Sequence, residues 1–133
     1  MTGKPTRVRF YIDEDLLGLA LVVAALRADV TYPGDPGHTV NKRVRPPCMV
    51  TRRGAPDDQW IPTVTRQQWL IITRDKRIQD RPMEIAAVRD YGARMVNLSS
   101  PDATTKWGQL EVLMSRWRDI ERLSDRAGPS SSQ

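Results

Sequence analysis

One cysteine and one histidine occur among the 133 residues, and each scarcity removes a class of chemistry. Cys48 alone cannot form an internal disulfide, and with His38 it cannot assemble a Cys/His zinc centre. His38 would also have to be the sole imidazole base of any Ser-His-Asp or Cys-His site, and it sits in a Pro/Gly-rich stretch. An enzyme built on this chain works with carboxylates. There is no glycine-rich phosphate loop, internal repeat or coiled-coil heptad, and Gly34 and Gly37 do not make a dinucleotide fingerprint. Long apolar runs are missing as well. The longest, Leu16 to Leu26, falls short of the roughly 20 residues that cross a bilayer, and Asp13, Glu14 and Asp15 precede it where a signal peptide carries positive charge. The expectation is a soluble, cytoplasmic protein without a membrane partner.

What is present is enough for one domain, since at this length a chain builds a core without disulfide or metal staples. The 21 basic and 16 acidic residues leave a net charge of +5. Between Pro36 and Pro56 lie Lys42, Arg43, Arg45, Arg52 and Arg53 and no acid, so this stretch carries the whole excess and the remainder balances. The basic signal is a loop, suited to the phosphate backbone of a single strand.

Arg7 to Ile12 reads as a strand ending in Asp13-Glu14-Asp15, whose acids begin a helix. That helix, over Leu16 to Leu26, is apolar on nearly every face and should lie deep against a sheet. Val30 to Tyr32 is a second short strand. Pro33 to Pro56 should be mostly loop, with one extended piece around Cys48 to Val50. Asp57 begins a helix that Pro62 weakens and that continues to about Gln68. Leu70 to Thr73 is a compact apolar run typical of a buried parallel strand, Pro82 opens a helix to Tyr91, and Ala93 to Asn97 is a fourth strand. In the last helix Trp107, Leu110, Met114, Trp117 and Ile120 recur at helical spacing as a core face. The class is α/β, with a parallel sheet of about four strands flanked by helices in a domain over residues 1–123, followed by a disordered tail over 124–133.

Asp13 and Asp75 follow strands, and in an open α/β sheet the carboxyl edge is where sites form. Asp57 or Asp58 starts the helix that precedes the strand delivering Asp75, so its N-terminus returns to the same edge. Acids at helix starts commonly serve only as caps. Asp75, however, ends a strand and caps nothing, and three carboxylates on one edge are unfavourable unless protons or a cation such as Mg²⁺ or Mn²⁺ neutralise them.

The pattern Arg9-Phe10-Tyr11-Ile12-Asp13-Glu14-Asp15, then Pro56-Asp57-Asp58-Gln59-Trp60-Ile61-Pro62, then Trp69 to Ile78 with Arg81-Pro82-Met83-Glu84, resembles the PIN-like nucleases. It is closest to the shortened branch that includes VapC-type toxin-like proteins. The resemblance covers roughly Val8 to Leu98. It implies a Mg²⁺- or Mn²⁺-dependent acidic centre that cleaves RNA, often as the toxin of a toxin–antitoxin pair. By position, Asp13 matches the first acid, Asp57 the helix-starting acid and Asp75 the acid of the Thr-x-Asp turn. The full pattern carries a further acid, usually a glutamate, in the stretch where this chain offers only Asp35. Glu14, Asp15, Asp58 or Glu84 would have to substitute for it, and the alternative is a catalytically degenerate module that binds RNA or a protein partner.

The mechanism so implied is in-line attack of metal-activated water on a phosphodiester, with Asp13, Asp57 and Asp75 holding the ions. Thr73 would position Asp75, and Lys76 and Arg77 would bind a phosphate or steady the transition state. The basic loop residues Lys42, Arg43, Arg45, Arg52 and Arg53 would form a phosphate-binding flap beside the centre. Trp60 would stand at the pocket wall, whereas Trp69, Trp107 and Trp117 read as core. An antitoxin or a second copy of the domain could cover the last helix or the tail.

Overall fold

The computed structural model describes residues 4–51, 54–74, 94–98, 104–125 and 130–132, with only the backbone of Asp57, Asp58, Arg94 and Ser130–Ser132. In chain order these residues form β1 (Lys4–Pro5), β2 (Phe10–Ile12), a 3₁₀ turn (Glu14–Leu16), α1 (Leu17–Leu26), β3 (Val30–Thr31), β4 (His38–Val40) and β5 (Arg43–Arg45). They continue with α2 (Asp57–Arg66), β6 (Leu70–Thr73), β7 (Arg94–Asn97), α3 (Lys106–Ser124) and β8 (Ser130–Ser132). The helix expected to start at Pro82 lies outside the described residues.

The main sheet is parallel in the order β3-β2-β6-β7-β8. Phe10 pairs with Val30 on one side and Leu70 on the other, and Ile72 with Val96. Strands buried on both faces read as continuous apolar runs, and here successive residues divide between two cores. Phe10, Ile12, Leu70, Ile72 and Val96 face α1 and α3. Tyr11, Ile71 and Met95 face α2 and the Cys48–Val50 segment. A sheet so covered leaves its two edges, where strands begin and end, as the places for polar work.

Three expectations are corrected. Helix α1 does not lie deep: Leu19, Ala20, Val23 and Ala24 are buried, but Leu26 is 68% exposed and Leu21 and Val22 are about half exposed. It is an outer layer with one packed face. In α3 the packed face is Leu110, Leu113, Trp117 and Ile120, which leaves Trp107 at 71% and Met114 at 64% exposed. The helical period allows either register, and the docking of Trp117 on Phe10, with ring centroids 4.8 Å apart, selects the second. Finally, Ser130–Ser132 in the tail pairs in parallel with Arg94–Val96, because β7 otherwise presents an open row of backbone donors and acceptors.

The segment from Pro33 to Pro56 also holds more structure than a loop. β4 and β5 form an antiparallel hairpin, and β1 adds to it in parallel as a small second sheet. The hairpin turns on two residues, Asn41 at φ 50° and Lys42 at φ 65°. Positive φ at both positions is what a two-residue hairpin of matching twist demands, normally met by Asn-Gly. Lysine in that place hides the turn from a sequence reading.

Candidate functional site

The strand order 3-2-6-7 reverses direction between β2 and β6, so the loops after these neighbours diverge and leave a crevice at their carboxyl ends. Asp13 follows β2 directly. Its backbone N–H continues the ladder to the Ile72 carbonyl at 2.9 Å, which fixes the residue against β6. The residue is only 6% exposed. One carboxylate oxygen accepts from the Glu14 backbone N–H at 2.7 Å, and the other from the Thr73 hydroxyl at 3.0 Å. Asp13 therefore caps the 3₁₀ turn with one oxygen and presents the second at the crevice.

Asp15 converges on the same hydroxyl. Its Oδ2 lies 3.5 Å from Thr73 Oγ1 and accepts from the Arg74 backbone N–H at 3.2 Å. Thr73 is fully buried and has one hydroxyl proton, so it cannot donate to both carboxylates at once. Two carboxylates gathered at one hydroxyl repel one another unless a proton or cation intervenes. Such paired hard oxygen donors suit a small divalent cation such as Mg²⁺ or Mn²⁺. Among the described residues no cluster of three His, Cys, Asp or Glu completes a metal centre.

The wall of the crevice comes from the other core. Tyr11, Pro33, Val50, Gly54, Ala55 and Trp60 line it together with Asp13 and Glu14. Trp60 is buried and stacked on Tyr11, with ring centroids 5.1 Å apart. Glu14 reaches outward and accepts from the Gly54 backbone N–H at 2.8 Å, which ties the segment before α2 to the crevice. The first turn of α2 thereby stands at the same edge as Asp13, which places the backbone of Asp57 and Asp58 there too.

The side chains of Asp57 and Asp58, and the whole of Asp75, Lys76, Arg77, Glu84, Arg52 and Arg53, lie outside the described residues. So does the contact expected between Thr73 and Asp75. What the sequence reading missed is the weight of Asp15 and of Arg74. Asp15 ranked as a spare acid, yet its carboxylate meets the hydroxyl that holds Asp13. Arg74 lies outside the expected phosphate-binding pair Lys76 and Arg77, yet its N–H anchors Asp15 and its Nε is buried without a hydrogen-bond partner among the described residues.

The expected basic flap is corrected for Arg45, which is buried, and in position for Lys42 and Arg43. Arg45 is 3% exposed and cannot bind a phosphate. Its Nε donates to Asp35 Oδ2 at 2.5 Å, and its NH1 donates to the carbonyls of Ala24 and Arg27 at 2.9 and 3.1 Å, closing the C-terminus of α1. Asp35, the one acid in the stretch where the resemblance expects a further one, is committed to this pair and also accepts from Thr31 Oγ1 and the Gly37 N–H. Lys42 and Arg43 sit on the hairpin, at the edge where strands begin. Arg43 lines a cleft with Arg7, Arg9 and Asp29, residues that precede or abut the starts of β2 and β3. Strand geometry separates Arg9 from Asp13 by about 13 Å along β2. These two basic residues are therefore not beside the carboxylates but across the sheet from them.

Among comparisons with known proteins, a family model described as a PIN like domain matches residues 8–100. No curated protein and no solved structure matches the chain.

Proposed function

Since the chain belongs to the PIN-like domain family, a group with a nuclease-type fold, we propose that it is a divalent-metal-dependent endoribonuclease that hydrolyses RNA phosphodiesters. The observation that supports this most is the meeting of Asp13 and Asp15 at the Thr73 hydroxyl, in the crevice at the switch point of the sheet. Asp13 and Asp15 would hold Mg²⁺ or Mn²⁺, with Asp57 and Asp75 as the further acids of the same edge. A divalent ion bound there supplies positive charge for the phosphate oxygens and lowers the pKa of a water nucleophile.

The chain's own residues do the rest. The Glu14 N–H and the Thr73 hydroxyl fix the orientation of the Asp13 carboxylate. Arg74 N–H holds Asp15 in register with it. The buried Tyr11–Trp60 pair gives the crevice a rigid apolar wall that excludes water from one side. Lys76 and Arg77, which follow Arg74 in the chain, would meet the phosphate. A toxin role in a type II toxin–antitoxin pair fits this activity, with the antitoxin or a second copy of the domain as partner and the cytoplasm as the place of action. No helix among the described residues is long and apolar enough to cross a membrane.

The test is cleavage of single-stranded RNA by the purified protein with Mn²⁺, stopped by EDTA and reduced at least ~100-fold by Asp13→Asn, the scale of losing a principal electrostatic group. Cleavage that ignores both EDTA and the substitution refutes the proposal. An inactive protein that still binds RNA would favour the degenerate module.

A further inference from the structure

The cleft at the opposite edge of the sheet has a volume of about 390 Å³. That falls in the range of roughly 300–1,000 Å³ that accommodates small organic ligands and is ample for a nucleotide. Four arginines line it, and they divide into two pairs. Arg27 forms a fork with Asp29 at 3.0 and 3.0 Å and lies 3.6 Å from Glu121. Arg9 donates to Ser124 and Asp125 at 2.6 and 3.1 Å. These two hold the end of α3 against the sheet, and their charge is answered by acids. Arg7 and Arg43 are exposed and have no side-chain partner among the described residues. Asn41 on the hairpin turn and Thr6 line the cleft with them.

Two free guanidinium forks and a carboxamide make a donor-rich cradle. A tetrahedral phosphate, with several acceptor oxygens, matches more of these donors than a planar carboxylate does. We propose that this cleft is a second phosphate-binding site, which takes the backbone of a single-stranded nucleic acid across the sheet from the carboxylates. The proposal rests on the nuclease reading for its choice of partner and not for its geometry. Lys4 and Lys42, joined by the β1 backbone hydrogen bond Lys4 N–H to Lys42 carbonyl at 2.8 Å, extend the basic rim beyond the cleft. Arg9 and Arg27 act as positioning residues for the floor.

Binding of a fluorescein-labelled 12-nucleotide oligouridylate, followed by anisotropy in EDTA over a salt series, tests this without any cleavage. The double variant Arg7→Ala, Arg43→Ala should bind about tenfold more weakly at 0.1 M salt. Its log–log salt slope should be shallower by ~1.4, since each phosphate contact on a single strand contributes about 0.7. Arg7→Lys, Arg43→Lys should keep the slope, which separates loss of charge from loss of fold. Arg116→Ala, Arg118→Ala removes two exposed charges from α3 and should change little. Unchanged binding in the alanine pair, or an equal loss in the α3 pair, overturns the proposal, as does displacement by hexaglutamate at lower concentration than by unlabelled oligouridylate. Retained binding with no Mn²⁺-dependent cleavage would leave this site standing and sink the nuclease reading alone.

Discussion

A single buried hydroxyl organises the carboxylates. Thr73 donates to Asp13, and hydrogen bonds to a charged group are worth about 1.5–3 kcal/mol when the partner would otherwise be left buried. Thr73→Val keeps the β-branched shape that a buried strand favours but removes that donor. The expected result is a loss of ~1–2 kcal/mol in urea unfolding and a fall of about tenfold in kcat with little change in KM, since the carboxylate is misplaced and substrate contacts are kept. Cys48 gives a contrasting case of a polar atom that burial keeps inert. Its thiol is pushed up from the ordinary range chiefly by desolvation. Because the folded value lies above the unfolded one, its stabilising share is complete below about pH 8.5 and declines as pH rises through the folded value. Iodoacetamide at pH 8 should therefore label the native protein far more slowly than the urea-unfolded chain, as read by mass spectrometry.

At the scale of elements, the hairpin is bonded to α1 by one buried side chain, Arg45. Arg45 answers Asp35 and at the same time satisfies two carbonyls at the end of α1 that no intrahelical N–H reaches. Arg45→Ala leaves Asp35 as an uncompensated buried charge and should cost roughly 3–5 kcal/mol, a large part of the ~5–15 kcal/mol that holds a domain together. Lys42→Ala, on the exposed turn next to it, should stay within about 0.5 kcal/mol. Denaturant unfolding of the two variants side by side decides whether the basic stretch contains one structural and one surface residue. Charge alone could not separate them. Along this stretch Lys42, Arg43 and Arg45 look alike in the sequence, and only the Asn41-Lys42 turn, with its positive φ, decides which one points inward. The strands β2, β3, β6 and β7 were legible because burial on both faces leaves continuous apolar runs. The packed face of α3 was not, because Trp107 and Met114 match the helical period as well as Leu113 does, and large apolar side chains at a surface are common.

At the scale of the whole molecule, the sheet sets two groups of the described charged side chains apart. The carboxylates of Asp13 and Asp15 occupy the edge where strands end, and Arg7 and Arg43 the edge where they begin. The position at the end of an apolar strand made Asp13 readable from sequence, and the reversal of strand order puts it at the edge where open α/β sheets form their sites. The distribution of the basic residues was not readable, because it depends on a parallel pairing between Lys4–Pro5 and Arg43–Val44 that joins chain segments almost 40 residues apart. This separation has a kinetic consequence if both edges serve one strand. An oligonucleotide must extend at least about 13 Å to touch them together, so kcat/KM for Mn²⁺-dependent cleavage should rise with substrate length and then level off. Contacts remote from the scissile bond that are equal in ground and transition states lower KM and leave kcat alone. The Arg7→Ala, Arg43→Ala variant should accordingly raise KM for long substrates, keep kcat, and cleave short ones like the wild type. A variant that instead loses kcat at every length would place these arginines in support of the fold or the chemistry, and would dissolve the separation of the two edges.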